Sequence, residues 1–267
     1  MFRKLFRFFR PTPPPLAYTE AARRAGIEKI LAIVRAPLPT ERELKRVEII
    51  VLNYKTPEVE VECAKRIIEN TTWPYKLVMY DNRPGVKNFS KIWNQLVRES
   101  TCDYVIIMDS DVFVPASPDA SRGGPCWLTR MMRTFAEHDD CFVVVPRVTN
   151  TSCDEQRATQ AEDKPAEPIK EIFAAMLALY KKDVFEKVGW FDEDFLFFGQ
   201  DSEFAARLAA HGFPAYLQHN VLVNHVGHYS TKKAAKTNDI PFDSTLEREF
   251  AGRLLEEKIR DYAKKEK

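Results

Sequence analysis

The sequence has almost no net charge. Its 40 lysines and arginines stand against 39 aspartates and glutamates, leaving a formal +1 at pH 7. A protein that holds nucleic acid through its phosphates needs a basic excess or stripe, so no nucleic-acid partner is indicated. Cysteine is also scarce: the five, at positions 63, 102, 126, 141 and 153, are scattered, odd in number and never spaced as CxxC. That argues against a structural zinc site or a disulfide framework and for a reducing, cytoplasmic setting. No run of apolar residues approaches the roughly 20 needed to span a bilayer. The N-terminus does not read as a secretory signal, so the Asn-x-Ser/Thr triplets at Asn70, Asn88 and Asn150 read as chance matches.

What is present is a chain of 267 residues, 45% hydrophobic and 30% charged, an ordinary globular balance with room for one good-sized core. It opens on MFRKLFRFFR, in which Phe2, Leu5, Phe6, Phe8 and Phe9 interleave with Arg3, Lys4, Arg7 and Arg10. Such a segment can lie on an anionic membrane surface, giving peripheral contact at the inner face of a membrane; a locally packed or disordered arm is the other reading. The proline run at 11–15 is a stiff spacer, and a short helix is expected at 19–35, stopped by Pro37 and Pro39. Three regions are expected: 1–45 as arm, spacer and short helix, 46–230 as the main domain, and 231–267 as a C-terminal amphipathic helix.

The main domain opens on Val47-Glu-Ile-Ile-Val-Leu52, an apolar run that reads as a buried strand ending at Asn53. A helix at 59–70, a strand at 76–80 ending at Asp81-Asn82, a helix at 89–99 and a strand at 104–108 ending at Asp109 follow. Strand, helix, strand, helix, strand at this spacing predicts an α/β fold with a mostly parallel central sheet flanked by helices. Polar residues stand just past the carboxyl ends of all three strands, where open α/β sheets bind ligands. Further on, helices are expected at 127–138, 182–188 and 202–211 and strands at 141–145, 171–180 and 215–223, with a mobile polar loop at 151–168. The last helix starts at a capping box, Ser244-x-x-Glu247, and carries Leu246, Phe250, Leu254 and Ile259 on one face.

Asp109-Ser110-Asp111 directly follows the third strand. Two carboxylates one residue apart can share a hard divalent cation such as Mg²⁺ or Mn²⁺, which would bridge a diphosphate and neutralise charge on a leaving group. A bare DxD is a weak signal, because acidic pairs are common in loops; its position after a hydrophobic strand is what strengthens it.

With Asn53-Tyr54, Asp81-Asn82 and Asp109-Ser-Asp111 closing successive strands, the sequence resembles the nucleotide-binding half of GT-A fold glycosyltransferases, specifically family 2. Val188-Gly-Trp-Phe-Asp-Glu-Asp-Phe195, Gly199-Gln-Asp201, Arg207-Leu-Ala-Ala-His-Gly212 and Val223-Asn-His225-Val-Gly-His228 resemble that family's second half, in the expected order. The resemblance implies an inverting transfer from a nucleotide-sugar donor, most commonly a UDP-sugar, to a glycan, lipid-linked or other hydroxyl acceptor. Asp81 would accept a hydrogen bond from the donor's base beside Asn53, and Asn94 matches an asparagine often found on the helix before the DxD strand. Asp109 would contact the ribose or the metal, Asp111 would bind the metal, and His225 would complete its coordination. Asp201 would be the general base. The family usually has Glu-Asp where this chain has Gln200-Asp201, which leaves the base in place but makes its neighbour neutral.

Plainer roles stand beside these. Asp201 could cap the following helix, His225 and His228 could be structural, the acidic turn Asp192-Glu-Asp194 could be solvated, and Trp190 could be core rather than a sugar platform. Arg83, Lys87 and Lys91 are candidates for phosphate contacts or simply solvated charges. Two other functions fit parts of the pattern: a phosphatase of the HAD superfamily using Asp109 and Asp111, and a GT-A sugar-binding module without activity. The phosphatase pattern places its DxD on the first strand, whereas here two strands precede it.

Overall fold

The computed structural model describes residues 46–53, 56–82, 88–116, 124–170, 172–227 and 244–265. The expected helix at 19–35, the basic aromatic arm, and Arg83, Lys87 and His228 lie outside them.

The first strand, β1 (Val47–Asn53), is buried along its whole length, as expected of a central strand covered on both faces. The period of two sends Val47, Ile49 and Val51 to one face and Ile50 and Leu52 to the other. Its one buried carboxylate, Glu48, is satisfied by Lys76 at 3.0 Å and Ser100 at 2.5 Å. β2 (Tyr75–Asp81) and β3 (Tyr104–Asp109) flank it in parallel, so Asn53 lies opposite Asp81 and Leu52 opposite Asp109.

The remaining strands are β4 (Val112–Phe113), β5 (Val143–Val148), β6 (Glu167–Pro168), β7 (Leu177–Lys181) and β8 (Ala215–His225). The main path across the sheet is β2-β1-β3-β7-β5-β8-β4, with β6 paired to β8. β5 and β8 run parallel to β1, β2 and β3, while β7 is antiparallel to both β3 and β5. The long strands are therefore mostly parallel, as expected, with one reversed strand in the middle and two short reversed strands on β8.

One face of the sheet is covered by α1 (Pro57–Asn70) and α3 (Trp127–Glu137), through Cys63, Ile67, Trp127, Leu128 and Met131. The other face is covered by α2 (Phe89–Glu99), α4 (Val184–Val188) and α5 (Gln200–Ala210), through Ile92, Val97, Phe185, Phe204 and Leu208. The last helix, α6 (Ser244–Lys265), packs on α5. All five cysteines are free and buried. Among the described residues no helix is long and apolar enough to cross a membrane.

Two expectations are corrected, and one open point is filled. The strand expected at 171–180 begins only at Leu177, because the amides before it serve side chains: Ala174 N–H donates to Gln156 Oε1 and Ala175 N–H to Asp201 Oδ2. The segment expected to be a mobile loop is pinned. Fully buried Gln156 donates to the Pro146 and Ala174 carbonyls, and Arg147 pairs with Glu162 at 2.7 Å. The sequence leaves open what α6 packs on; of its apolar stripe, Leu246, Phe250 and Ile259 are 62%, 49% and 40% exposed and Leu254 is half-buried. The docked face of α6 carries Ala251, Lys258 and Tyr262; Lys258 meets Asp192 at 2.6 Å, and Tyr262 donates to Glu203.

Candidate functional site

The parallel strands β1, β2, β3 and β8 end at one edge of the sheet, and a cavity of about 390 Å³ opens there, lined by Asp109, Asp111, Asp201 and His225 among others. Asp109 is the last residue of β3. The chain turns at Ser110 and returns as β4, whose Val112 pairs with His225 on β8. That pairing sets Asp111 beside His225, with Val226 N–H donating to the Asp111 carbonyl at 3.0 Å. One ligand atom from each of Asp109, Asp111 and His225 falls within 4.8 Å of the others.

The imidazole is oriented from behind. His225 Nδ1 lies 2.6 Å from the carbonyl oxygen of Asn150, which can only accept, so the proton belongs on Nδ1. Nε2 is then the basic nitrogen, and it faces Asp111 Oδ1 at 3.6 Å. A ring nitrogen fixed by a main-chain carbonyl while the other faces carboxylates is the arrangement of a metal-ligating histidine. Gly227 closes the same turn with φ +83°; a Cβ there would come within 2.2 Å of the Asn150 side chain.

Burial raises the Asp109 carboxyl to about 7, helped by the negative charge of Asp111 and opposed by His225. Burial alone would lower the His225 pKa, but its contact with the Asp111 carboxylate raises it. Two carboxylates and one imidazole form an oxygen-rich set that suits a hard or borderline divalent ion, Mn²⁺ or Mg²⁺, and such an ion would relieve the repulsion between the carboxylates.

Asp201 stands apart from this trio. The cap of α5 is Gly199, with φ 85°, not Asp201. The carboxylate instead accepts from Ala175 N–H at 2.9 Å and from Ser202 N–H at 2.8 Å. Burial raises its pKa from the ordinary aspartate value, and those two bonds restrain the rise. A carboxylate held in place and made more basic fits proton abstraction.

The other expected residues are placed less directly. Asn53 is buried, donating to Glu60 at 2.7 Å and accepting from Thr56 at 2.6 Å. Asp81 lies at the same edge, and the neighbouring Asn82 lines the cavity. Asn94 holds the loop ahead of α5: it donates to the Phe191 carbonyl and Glu193 and accepts from Phe191 N–H. Trp190 stacks on Phe185 at 5.3 Å, beneath the Arg98 guanidinium, and is not a lining residue of this cavity. Asp192 and Asp194 face Lys258.

Two features escape sequence reasoning. The Asn150 carbonyl behind His225 is main chain and leaves no residue signature. Arg248 reaches the cavity from α6, its guanidinium 4.5 Å from the centre of the Phe198 ring. The spacing of Arg248, Ala251, Leu255, Lys258 and Tyr262 at steps of three and four was the available sign that this face docks.

No protein-family model matches the sequence, and no curated protein matches it. Solved structures do. A crystal structure of GalNAc-T7 with UDP, GalNAc and Mn²⁺ aligns with a TM-score of 0.51 at 11% identity, over 69% of this chain and 44% of that one. S. aureus TarS 1–349 aligns at 0.46 and 10% identity, over 76% of this chain and 68% of that one. This chain thus spans less than half the length of the GalNAc-T7 chain. The first likeness shows the fold: the sheet and its flanking helices are those of the GT-A architecture.

Proposed function

We propose that this chain is a divalent-metal-dependent glycosyltransferase that moves a sugar from a nucleoside-diphosphate sugar, a UDP-sugar in the first instance, to an acceptor hydroxyl with inversion. The observation that carries the reading is the grouping of Asp109, Asp111 and His225 around one cavity with a separate, more basic carboxylate, Asp201. The presence of UDP, GalNAc and Mn²⁺ in GalNAc-T7, which shares the fold, supports the donor class and the ion.

Asp111 and His225 Nε2 would hold Mn²⁺ or Mg²⁺, with Asp109 as a third ligand or as a contact to the ribose. The ion would supply Lewis-acid neutralisation of charge on the diphosphate leaving group. Asp81 accepts a hydrogen bond from the donor's base, with Asn53 and Asn82 beside it. Asn94 serves indirectly, holding the Phe191 loop that leads to Asp201. Asp201 takes the proton from the acceptor hydroxyl, which is a weak nucleophile without such a partner; general base assistance contributes about 10²–10⁴ in rate. One carboxylate acting as base, with no covalent intermediate, gives a single displacement and an inverted product. The acceptor is a glycan, a lipid-linked sugar or another hydroxyl compound, and residues 1–10 give peripheral membrane contact.

The test is a panel of nucleotide sugars with Mn²⁺ or Mg²⁺, with and without acceptors, measuring nucleoside diphosphate release and the anomeric configuration of the product by NMR. Metal-dependent release with an inverted product is expected. Release of inorganic phosphate from a simple phosphomonoester, without nucleotide release, would point to the phosphatase. Failure to bind any nucleotide with either ion would end the transferase reading.

A further inference from the structure

The described residues lining the cavity include three carboxylates, Asp109, Asp111 and Asp201, and one permanent cation, Arg248. The position of that cation is fixed by how α6 docks. Its guanidinium lies over Phe198, three residues before Asp201. One turn further on, Ala251 packs against Gly199, where an added Cβ would stand 3.4 Å from the Ala251 Cβ. Beyond that, Lys258 pairs with Asp192 and Tyr262 donates to Glu203, the residue two past Asp201. Arg248 is therefore mounted on the same elements as Asp201, whereas the metal-ligating trio belongs to β3, the turn after it, and β8. A guanidinium packed over an aromatic face can still offer N–H donors in its own plane, the fork that grips phosphate or carboxylate. Next to Asp201, the side-chain oxygen of Gln200 is buried without a hydrogen-bond partner, although Gln200 lines the cavity. An orphaned acceptor in a ligand cavity calls for a donor on the ligand.

We infer that the acceptor carries an anionic group, phosphate or carboxylate, gripped by Arg248, while a hydroxyl of the same molecule donates to Gln200 Oε1 beside the hydroxyl that Asp201 deprotonates. This rests on the glycosyltransferase reading. An anion entering a cavity with three carboxylates is repelled unless a cation meets it. The divalent ion and the donor diphosphate would largely offset one another at the trio, so among the described residues Arg248 is the cation left for the acceptor. The anion can be borne by a soluble sugar or polyol, or by a lipid head group.

The experiment uses the full chain. UDP with Mn²⁺ is titrated first by calorimetry, on the wild type and on Arg248→Gln and Arg248→Lys. Matched probes then follow on the UDP- and Mn²⁺-loaded protein: glucose 6-phosphate against glucose, glycerol 3-phosphate against glycerol, and phosphatidylglycerol vesicles against phosphatidylcholine vesicles. The charged member of at least one pair is expected to bind about tenfold or more tighter, the size of one charge-assisted contact. Arg248→Gln should erase that advantage, Arg248→Lys should keep part of it, and UDP affinity should be unchanged in both. A soluble-probe advantage lost in Arg248→Gln identifies a sugar or polyol anion; because residues 1–10 favour anionic lipid in every variant, only the part of a vesicle advantage that Arg248→Gln removes identifies a lipid-borne one. Equal binding within every pair overturns the inference, as does a set of advantages none of which Arg248→Gln reduces. A tenfold loss of UDP affinity in Arg248→Gln also overturns it, assigning the arginine to the donor diphosphate. If the wild type binds no UDP in the first titration, what fails is the glycosyltransferase reading itself, seen before any acceptor probe is added.

Discussion

Replacing Asp201 by asparagine separates the chemistry of the site from its architecture. The carboxylate accepts Ala175 N–H through one oxygen and Ser202 N–H through the other. A carboxamide offers a single oxygen, so its NH₂ group must face one of those amides and leave it unpaired, at a cost of about 1–3 kcal/mol. Working the other way, burial raises the pKa of Asp201, which means that holding it ionised at neutral pH already costs stability, and asparagine removes that charge. The two effects oppose, and the melting temperature is expected to stay within about 3 °C of wild type, roughly 1 kcal/mol for a chain of this size. Catalysis has no such compensation. Without a proton acceptor the transfer rate should fall about 10²–10⁴-fold, or about 3–5 kcal/mol of barrier, while UDP and Mn²⁺ binding stays within about twofold. Initial rates with radiolabelled donor, calorimetry for UDP and a thermal melt give the three readings. Transfer within threefold of wild type would refute the base assignment. A drop in melting temperature of ten degrees or more would refute the argument that the lost bond and the lost charge offset one another.

Asp111→Ala should weaken Mn²⁺-dependent UDP binding by about 100-fold or more, since loss of even an outer-shell partner costs about 10–100-fold; calorimetry with and without chelator reads it. Manganese must displace the protons favoured by the raised pKa values of Asp109, at about 7, and His225. Its affinity should therefore fall as pH drops below about 7, by up to about tenfold per unit for each group, and a pH-independent affinity by electron paramagnetic resonance would contradict the proximity of the three ligands. Arg207 holds fully buried Glu203 with two bonds, at 2.8 and 2.9 Å, and also binds the carbonyls of Val188 and Trp190. Arg207→Met should cost about 3–5 kcal/mol in urea unfolding, and the double variant with Glu203→Leu should recover most of it, because the penalty lies in the stranded charge.

The first half of the fold was legible because its signals are local. β1 to β3 and the helices between them follow from apolar runs that switch period, and the DxD acquired meaning from the strand before it. What sequence missed depends on partners far along the chain. The apolar Phe173-Ala-Ala stretch invites a strand, yet its amides are taken by Gln156 and Asp201. Asn94 matched a family pattern, but its carboxamide is bonded to Phe191, 97 positions away. The docked face of α6 was not legible because hydropathy counts Leu246 and Phe250 and overlooks Lys258 and Tyr262, whose polar ends do the anchoring. The insertion of β7 between β3 and β5, with its chain direction reversed, has no signature in spacing at all.

The β4–β8 ladder holds only two residue pairs, Val112 with His225 and Phe113 with Asn224. Asp111 immediately precedes one strand and His225 ends the other, so an ion shared between them would act as a removable rivet across that seam. Free-ion concentration would then govern the lifetime of the polypeptide as well as its turnover, since a seam that opens on ion loss exposes residues 112–116 to proteases and one that stays riveted does not.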